Sequence, residues 1–307
     1  MEWIANFDMP PQPPCSLALG GFDGLHRGHM AVIQAALEGP DQPAVFTFSA
    51  PPSGEAMVLT AADKKELLAA AGVEWVYSAE FSALKTMDAA SFVETLLFEK
   101  INARRLCCGE DFRFGRGAMG DVELLRELCQ KHGMGLTVLP PVNEDGEKIS
   151  SSRIRRAVEG GDIPTANRLL GRPFGFQLEV IHGNHIGTGL GTPTINQALP
   201  ENFVRPRFGV YAAWCLVEGS PYFGVCNIGV KPTVGSDRVL AETWMPAFSG
   251  DLYGRMVRLL LVEFIRPERK FESLDQLKEE IRQNARQAEE ITRRQDIGTF
   301  GLSAAGG

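Results

Sequence analysis

The residues best suited to chemistry are concentrated in one stretch, Gly20-Gly21-Phe22-Asp23-Gly24-Leu25-His26-Arg27-Gly28-His29. An apolar run from Ser16 to Leu19 precedes it and a helix-like segment from Met30 to Leu37 follows, so it reads as strand, glycine-rich turn and helix N-terminus. Such a junction suits phosphate. Glycine lets the backbone approach an anion closely, the first N–H groups of a helix have no internal partners, and the helix dipole favours negative charge there. His26 and His29 add two donors at the same mouth, which makes them the candidate catalytic pair, with Gly21, Phe22, Asp23, Gly24 and Gly28 as candidate phosphate-binding positions. A glycine-rich turn by itself is weak support. Combined with Asp23 and both histidines after a strand, it is a much rarer pattern.

Four further groups could take part. In Ile149-Ser150-Ser151-Ser152-Arg153-Ile154-Arg155, Ser150 to Ser152 can cap a helix running to Glu159, and Arg155 supplies a fixed cation near its start. Read alone this is an ordinary capped surface helix; together with the histidines it offers the donors and guanidinium that a charged pentavalent transition state requires. The loop from Gly109 to Gly117 carries Asp111, Phe112 and Arg113. Gly187, Gly189 and Gly191 precede Pro193-Thr194-Ile195-Asn196, offering backbone donors for phosphate and, in Thr194 and Asn196, two oxygen ligands for Mg2+. A glycine-rich hairpin without a ligand has the same pattern. Glu242, in Leu240-Ala241-Glu242-Thr243-Trp244, is a carboxylate on an apolar strand and a candidate general base, although a solvent-facing glutamate is the commoner arrangement.

The elements that must position these residues differ between the two halves. Apolar, β-branched runs at Ala44–Phe48, Val73–Tyr77, Arg105–Gly109 and Leu136–Leu139 alternate with helical patterns at Asp63–Ala71, Asp88–Phe98 and Asp121–His132. That alternation predicts a Rossmann-like, doubly wound parallel sheet with ligands at the carboxyl ends of its strands, where the Gly20 and Gly109 loops fall. From Phe176 onward short strands follow one another without helices, at Gln177–Ile181, Gly209–Leu216, Tyr222–Ile228 and Val257–Phe264, which predicts an antiparallel barrel. A closing amphipathic helix is expected over Leu274–Ile291, with Leu274, Leu277, Ile281 and Ala285 on its apolar face, and a flexible tail over 299–307.

The whole chain is consistent with two soluble domains: 307 residues, 44% hydrophobic and 22% charged, with a net charge of −7. An acidic balance argues against nucleic acid as a partner. No apolar run is long enough to span a membrane and the N-terminus lacks a basic signal region, so a cytoplasmic protein is expected. The six cysteines form no Cys-x-x-Cys pair and read as reduced core thiols.

The His-x-Gly-His element resembles that of the nucleotidyltransferase superfamily, and Gly-Phe-Asp-Gly-Leu-His-Arg-Gly-His is similar to its FAD synthetase branch. Asp111-Phe112-Arg113-Phe114-Gly115, Ser150-Ser151-Ser152-Arg153-Ile154-Arg155 and Asn167 to Pro173 follow in the order found in the prokaryotic bifunctional riboflavin kinase/FAD synthetase family. Pro193-Thr194-Ile195-Asn196, Gly209-Val210-Tyr211, Asn227 to Thr233, Glu242, Asp251-Leu252-Tyr253-Gly254 and Lys270-Phe271 resemble its kinase half. The resemblance implies an FMN adenylyltransferase domain over residues 1–174, a six-stranded barrel riboflavin kinase domain over 175–298, and a tail over 299–307. By that likeness His26 and His29 contact ATP phosphates, Ser152 and Arg155 hold the triphosphate, and the Asp111 loop lies beside nucleotide and flavin. Thr194 and Asn196 hold Mg2+ with ATP, and Glu242 deprotonates the riboflavin 5′-hydroxyl.

Two departures stand out. Family members carry Thr-Phe-x-Pro-His-Pro after the second strand, where this chain has Thr47-Phe48-Ser49-Ala50-Pro51-Pro52. The family's Arg-Gly-Arg-x-Leu-Gly-Phe-Pro-Thr-Ala-Asn is here Ile186-Gly187-Thr188-Gly189-Leu190-Gly191-Thr192-Pro193-Thr194-Ile195-Asn196, without the arginines or the phenylalanine. The expected activity is phosphorylation of riboflavin to FMN by ATP, giving ADP, then adenylylation of FMN to FAD with release of pyrophosphate. The rivals are an FMN adenylyltransferase whose altered kinase domain only binds flavin, and a non-catalytic flavin sensor. Nothing in the sequence sets an oligomeric state.

Overall fold

The computed structural model describes residues 1–7, 12–182, 193–233 and 236–294. The chain divides into two compact units, residues 1–57 with 61–151, and 58–60 with 152 onward.

In the first unit six strands form one all-parallel sheet: β1 (Glu2–Ile4), β2 (Cys15–Leu19), β3 (Gln42–Phe48), β4 (Trp75–Ala79), β5 (Ala103–Gly109) and β6 (Gly135–Leu139), in the order β1-β4-β3-β2-β5-β6. From β2 the chain winds outward through β3 and β4, then returns to place β5 on the other flank of β2. The reversal puts the topological switch point between β2 and β5, where doubly wound sheets bind ligands at their carboxyl ends. Cys15, Leu17, Leu19, Leu106 and Cys108 of these two strands join one core with Phe46, Tyr77 and Leu125. α1 (Arg27–Leu37) packs on β2, β3, β5 and β6 through Val32, Ile33, Ala35 and Ala36. α2 (Ala61–Ala70) and α3 (Val122–Lys131) complete the α/β alternation; Asp121 caps α3 by accepting the Leu124 N–H.

The helix expected over Asp88–Phe98 is differently wound. Asp88 does cap it, accepting from the Ser91 N–H at 2.9 Å, but after Ala89–Ser91 it continues as a π-helix over Phe92–Lys100. Its buried residues are Phe92, Val93, Leu96, Leu97 and Ile101, steps of four and five that i→i+5 winding keeps against the sheet and an α-helix would rotate away. A short hairpin, β7 (Asn143–Glu144) with β8 (Glu147–Lys148), follows β6 and leads to α4 (Ser151–Gly160), whose first residue ends the unit.

The second unit begins within α4 and includes α5 (Ile163–Leu170). Asn167 ties α5 to the barrel, donating from Nδ2 to the Leu261 carbonyl at 3.1 Å and accepting the Phe174 N–H at 2.6 Å. The barrel has six antiparallel strands: β9 (Phe174–Glu179), β10 (Thr194–Ala198), β11 (Gly209–Val217), β12 (Ser220–Thr233), β13 (Ser236–Trp244) and β14 (Met256–Pro267), in the order β10-β13-β12-β11-β14-β9. Of these, β10 is not among the strands read from the sequence, whereas β13 contains the apolar strand that carries Glu242. A bridge between Ile181 and Asn196 joins the ends of the order, and the Gln197 amide crosses from β10 to the carbonyls of Leu178 (2.8 Å) and Val257 (2.7 Å).

The closing helix, α6 (Leu274–Arg293), covers β11, β12 and β14 with the face read from the sequence, on which Leu277, Ile281 and Ala285 are partly buried and Ala285 packs on the barrel core. Only Leu274, 64% exposed, falls outside that contact; Ala288 and Ile291 extend it against Val210, Ala212, Val225 and Val262, and Asn284 and Thr292 are buried too. The helix meets the sheet through its second half, and its first turn extends beyond the contact. The tail over 299–307 lies outside the described residues.

Candidate functional site

The turn between β2 and α1 stands at the switch point and is bent by three residues in left-handed conformation, Phe22 (φ 48°), Gly24 (φ 85°) and Leu25 (φ 42°). For Phe22 and Leu25 that conformation costs of order 1–3 kcal/mol each. Both side chains are 1% exposed, and burial contributes roughly 1.5–3 kcal/mol apiece, enough to offset the strain. Phe22 therefore contributes packing through its side chain, meeting His29 edge-on at 5.3 Å, and could face an anion only through its backbone.

His26 is the N-cap of α1. Its Nδ1 accepts the His29 N–H at 3.2 Å, which makes Nε2 the protonated nitrogen of the neutral ring and hence a donor. The two imidazoles are stacked, 3.6 Å apart and 15° from parallel. Gly28 is fitted to this stack: a Cβ there would lie 3.2 Å from His26 Cε1 and Nδ1. Asp23 is half-buried, and its carbonyl accepts the Ser151 hydroxyl at 2.7 Å, which fastens the first residue of α4 to the turn.

Behind the turn lies Lys64, on α2. Its ammonium donates to the carbonyls of Gly21 (3.0 Å) and Phe48 (3.2 Å) and to Thr47 Oγ1 (2.7 Å). Burial pushes the Lys64 pKa down to about 8, against the opposing pull of the Asp23 carboxylate. Nothing in the Asp63–Ala71 helical pattern singles this residue out from Lys65 beside it.

The second candidate loop leaves the carboxyl end of β5, beside β2. Asp111 pairs with Lys148 of the β7–β8 hairpin, and Arg27, inside the histidine motif, pairs with Glu144 of the same hairpin at 2.5 Å. Phe112 and Phe114 stack at 5.6 Å, while Arg113 turns to Asp121 at 3.2 Å. On α4, in the second unit, Arg155 is 6% exposed, more buried than a surface cation, and lies 3.5 Å from the Ser152 hydroxyl.

In the barrel, register does the assembling. Asn196 of β10 is paired with Glu242 of β13, and Glu242 with Asn227 of β12, so the three lie in one row on one sheet face. Side chains so paired have Cβ atoms about 5 Å apart. Thr194 is two residues from Asn196 and shares its face. Asn196 is 5% exposed and Glu242 half-buried, while the Asn227 amide donates to Glu268 at 3.2 Å. Thr194 and Asn196 line a cavity of about 350 Å3 with Met245, Phe248, Asp251 and Tyr253, whose ring stacks on His182 at 4.0 Å. Their hydroxyl and amide oxygens on one cavity wall are the hard donors that Mg2+ takes. Asn227 opens the Asn227–Thr233 motif but carried no role in the sequence reading; its register with Glu242 places it beside the candidate base. Gly187, Gly189 and Gly191, with Ile186 and Thr188, lie outside the described residues.

Comparison with known proteins follows this division. Residues 8–153 match the FAD synthetase family and 170–292 the riboflavin kinase family. The bifunctional riboflavin kinase/FMN adenylyltransferase of Escherichia coli (strain K12) is 35% identical over 301 residues, covering 94% of this chain and 96% of that one. The chain belongs to the bifunctional riboflavin kinase/FMN adenylyltransferase family. The family member of Bacillus subtilis (strain 168) is 32% identical, over 89% of this chain and 90% of that one. A crystal structure of a macrolide-efflux protein from Streptococcus pneumoniae shares the fold, with a TM-score of 0.84 at 28% identity over 96% of this chain and 99% of that one. Among the described residues of the present chain, no helix is long and apolar enough to cross a membrane.

Proposed function

We infer that this protein phosphorylates riboflavin to FMN and then adenylylates FMN to FAD, using ATP in both steps. The observation that supports the reading is that each of the two sheets bears its own cluster of polar side chains suited to phosphate: stacked His26 and His29 at the switch point of one, and the Thr194, Asn196 and Glu242 group on the other.

For the kinase step, the Glu242 carboxylate takes the proton of the riboflavin 5′-hydroxyl as its oxygen attacks the γ-phosphorus and ADP leaves. Thr194 and Asn196 would hold Mg2+, which when bound with ATP neutralises phosphate charge. For the adenylyl step, an FMN phosphate oxygen bonds to the α-phosphorus as the bond to the β-phosphate oxygen breaks, and pyrophosphate departs. His26, His29 and the backbone donors of the Gly21–Gly24 turn would stabilise the added charge, with Ser152 and Arg155 on the triphosphate and Asp111, Phe112 and Arg113 beside nucleotide and flavin. Gly187, Gly189 and Gly191 are assigned to the kinase ATP phosphates on sequence alone. We place the division of labour at 174/175, with residues 175–298 as the kinase; the start of β9 at Phe174 supports it. Two ATP-consuming reactions and six buried thiols fit a cytoplasmic enzyme.

Separate single variants test the assignment. Glu242→Gln is expected to lower riboflavin phosphorylation by about 10²–10⁴-fold and leave FAD formation from FMN intact, while His29→Ala does the reverse. Loss of both activities in either variant, or of neither, contradicts the two-site reading.

A further inference from the structure

The geometry behind the Gly20–Leu25 turn assigns a role to a side chain outside every motif. An ammonium has three N–H donors, and all three of Lys64 are committed, to Gly21 O, Thr47 Oγ1 and Phe48 O. Thr47 is fully buried and spends its own hydroxyl proton on the same Gly21 carbonyl, at 2.8 Å. That carbonyl thus receives two bonds from the β3 side. Because a peptide unit is planar and trans, its C=O and the following N–H point in opposite directions. Fixing the Gly21 carbonyl therefore fixes the direction of the Phe22 N–H and helps hold Phe22 at its φ of 48°. The third bond grips Phe48, the last residue of β3, just before Ser49-Ala50-Pro51-Pro52, where the family pattern has lost its histidine.

We propose that Lys64 is a positioning residue for adenylyl transfer, clamping the Gly21 turn to the end of β3 so that its backbone donors and His26 and His29 face the ATP phosphates. The proposal rests on the adenylyl-transfer reading of that turn. With its donors occupied, Lys64 acts through Gly21 and Thr47 and makes no phosphate contact of its own. Its charge is part of the clamp. Burial sets its pKa near 8; Asp23 faces it from the turn, β3 brings the non-titrating Thr47 and Phe48, and Asp63 and Lys65 flank it on α2. A lowered lysine pKa means the charged form holds below about 8 and is lost as pH rises through that value. The neutral amine keeps two N–H groups and turns a lone pair on one of the three oxygens, so the clamp loosens on the alkaline side.

The test uses the full chain. FAD formation from FMN, ATP and Mg2+ is measured from neutral to alkaline pH for wild type, Lys64→Met and Lys64→Arg, with riboflavin phosphorylation by the same preparations as the folding control. Lys64→Met is expected to lower the adenylyl kcat about tenfold or more with little change in the KM for ATP and none in kinase rate. Wild type is expected to lose adenylyl activity as pH rises through about 8, a limb that Lys64→Arg, charged throughout, abolishes. Lys64→Met within twofold of wild type, or an unchanged alkaline limb in Lys64→Arg, overturns the proposal; should Lys64→Met fail to fold, the limb in Lys64→Arg decides. Absence of FAD from wild type at every pH would instead sink the adenylyl reading itself.

Discussion

Gly28→Ala separates catalysis from stability at the histidine stack. The added Cβ would meet His26 Cε1 and Nδ1 at 3.2 Å, inside the about 3.5–4.0 Å at which carbon atoms pack without strain. Its other neighbour, Val142 Cβ, is 4.0 Å away and offers ordinary contact, so the strain falls on the imidazole. The ring must yield by roughly half an ångström, displacing Nε2 and weakening the His29 N–H bond to Nδ1. If a 1 Å misplacement costs about 10²-fold, half of that costs about tenfold, or about 1.4 kcal/mol in the barrier. Folding stability moves little or slightly upward, because Gly28 has ordinary helical geometry in α1 and alanine is preferred there by up to about 1 kcal/mol. The assay follows FAD from FMN, FMN from riboflavin and the urea midpoint on one preparation. Tenfold slower adenylyl transfer, an unchanged kinase and an unchanged or raised midpoint are expected. Adenylyl transfer within twofold of wild type, or an equal fall in both activities, would refute the fit of Gly28 to His26.

Other consequences follow from burial. Gln197→Leu strands the carbonyls of Leu178 and Val257 inside the barrel and should destabilise the second unit by about 2–4 kcal/mol, read as a lower midpoint for kinase loss than for adenylyl loss on heating. All six cysteines are free and buried, and burial pushes Cys15, Cys108 and Cys226 up to about 12 and Cys129 to about 11. Raised thiol pKa values leave almost no thiolate near neutrality, so a thiol-alkylating reagent at pH 8 should label the folded protein negligibly and the urea-unfolded chain at every cysteine; rapid labelling of the folded state would contradict this packing. Ser151→Ala removes the hydroxyl that holds the Asp23 carbonyl, and a several-fold fall in adenylyl transfer with kinase rate preserved is expected in the same paired assay.

The sequence made the first unit legible because its parallel strands, buried on both faces, are continuous apolar runs, and because Asp88, Asp121 and Gly133 punctuate its helices. The His26–His29 pair was equally plain, since cap, spacing and glycines sit within ten consecutive residues. What escaped depends on contacts distant in sequence. Lys64 meets Gly21 across 43 positions, and no local pattern distinguishes it from Lys65. Asn227 joins Glu242 and Asn196 only through barrel register, which the alternation of short strands does not set. Of the predicted α6 face only Leu274 departs, because it suits the helical period yet is 64% exposed at the start of the helix. The π winding at Phe92–Lys100 reflects a spacing of four and five among apolar residues that an α-helical period of 3.6 absorbs only roughly.

The central claim, two phosphoryl-transfer sites in one chain, is tested most directly by a timed incubation of the purified protein with riboflavin, ATP and Mg2+, with a parallel reaction started from FMN, resolving riboflavin, FMN and FAD by chromatography. FMN is expected to rise first and FAD to follow in one reaction, and FAD to form directly in the other. FAD from FMN with no FMN from riboflavin would contradict the kinase assignment of Thr194, Asn196 and Glu242, and no product from either start would contradict the account as a whole.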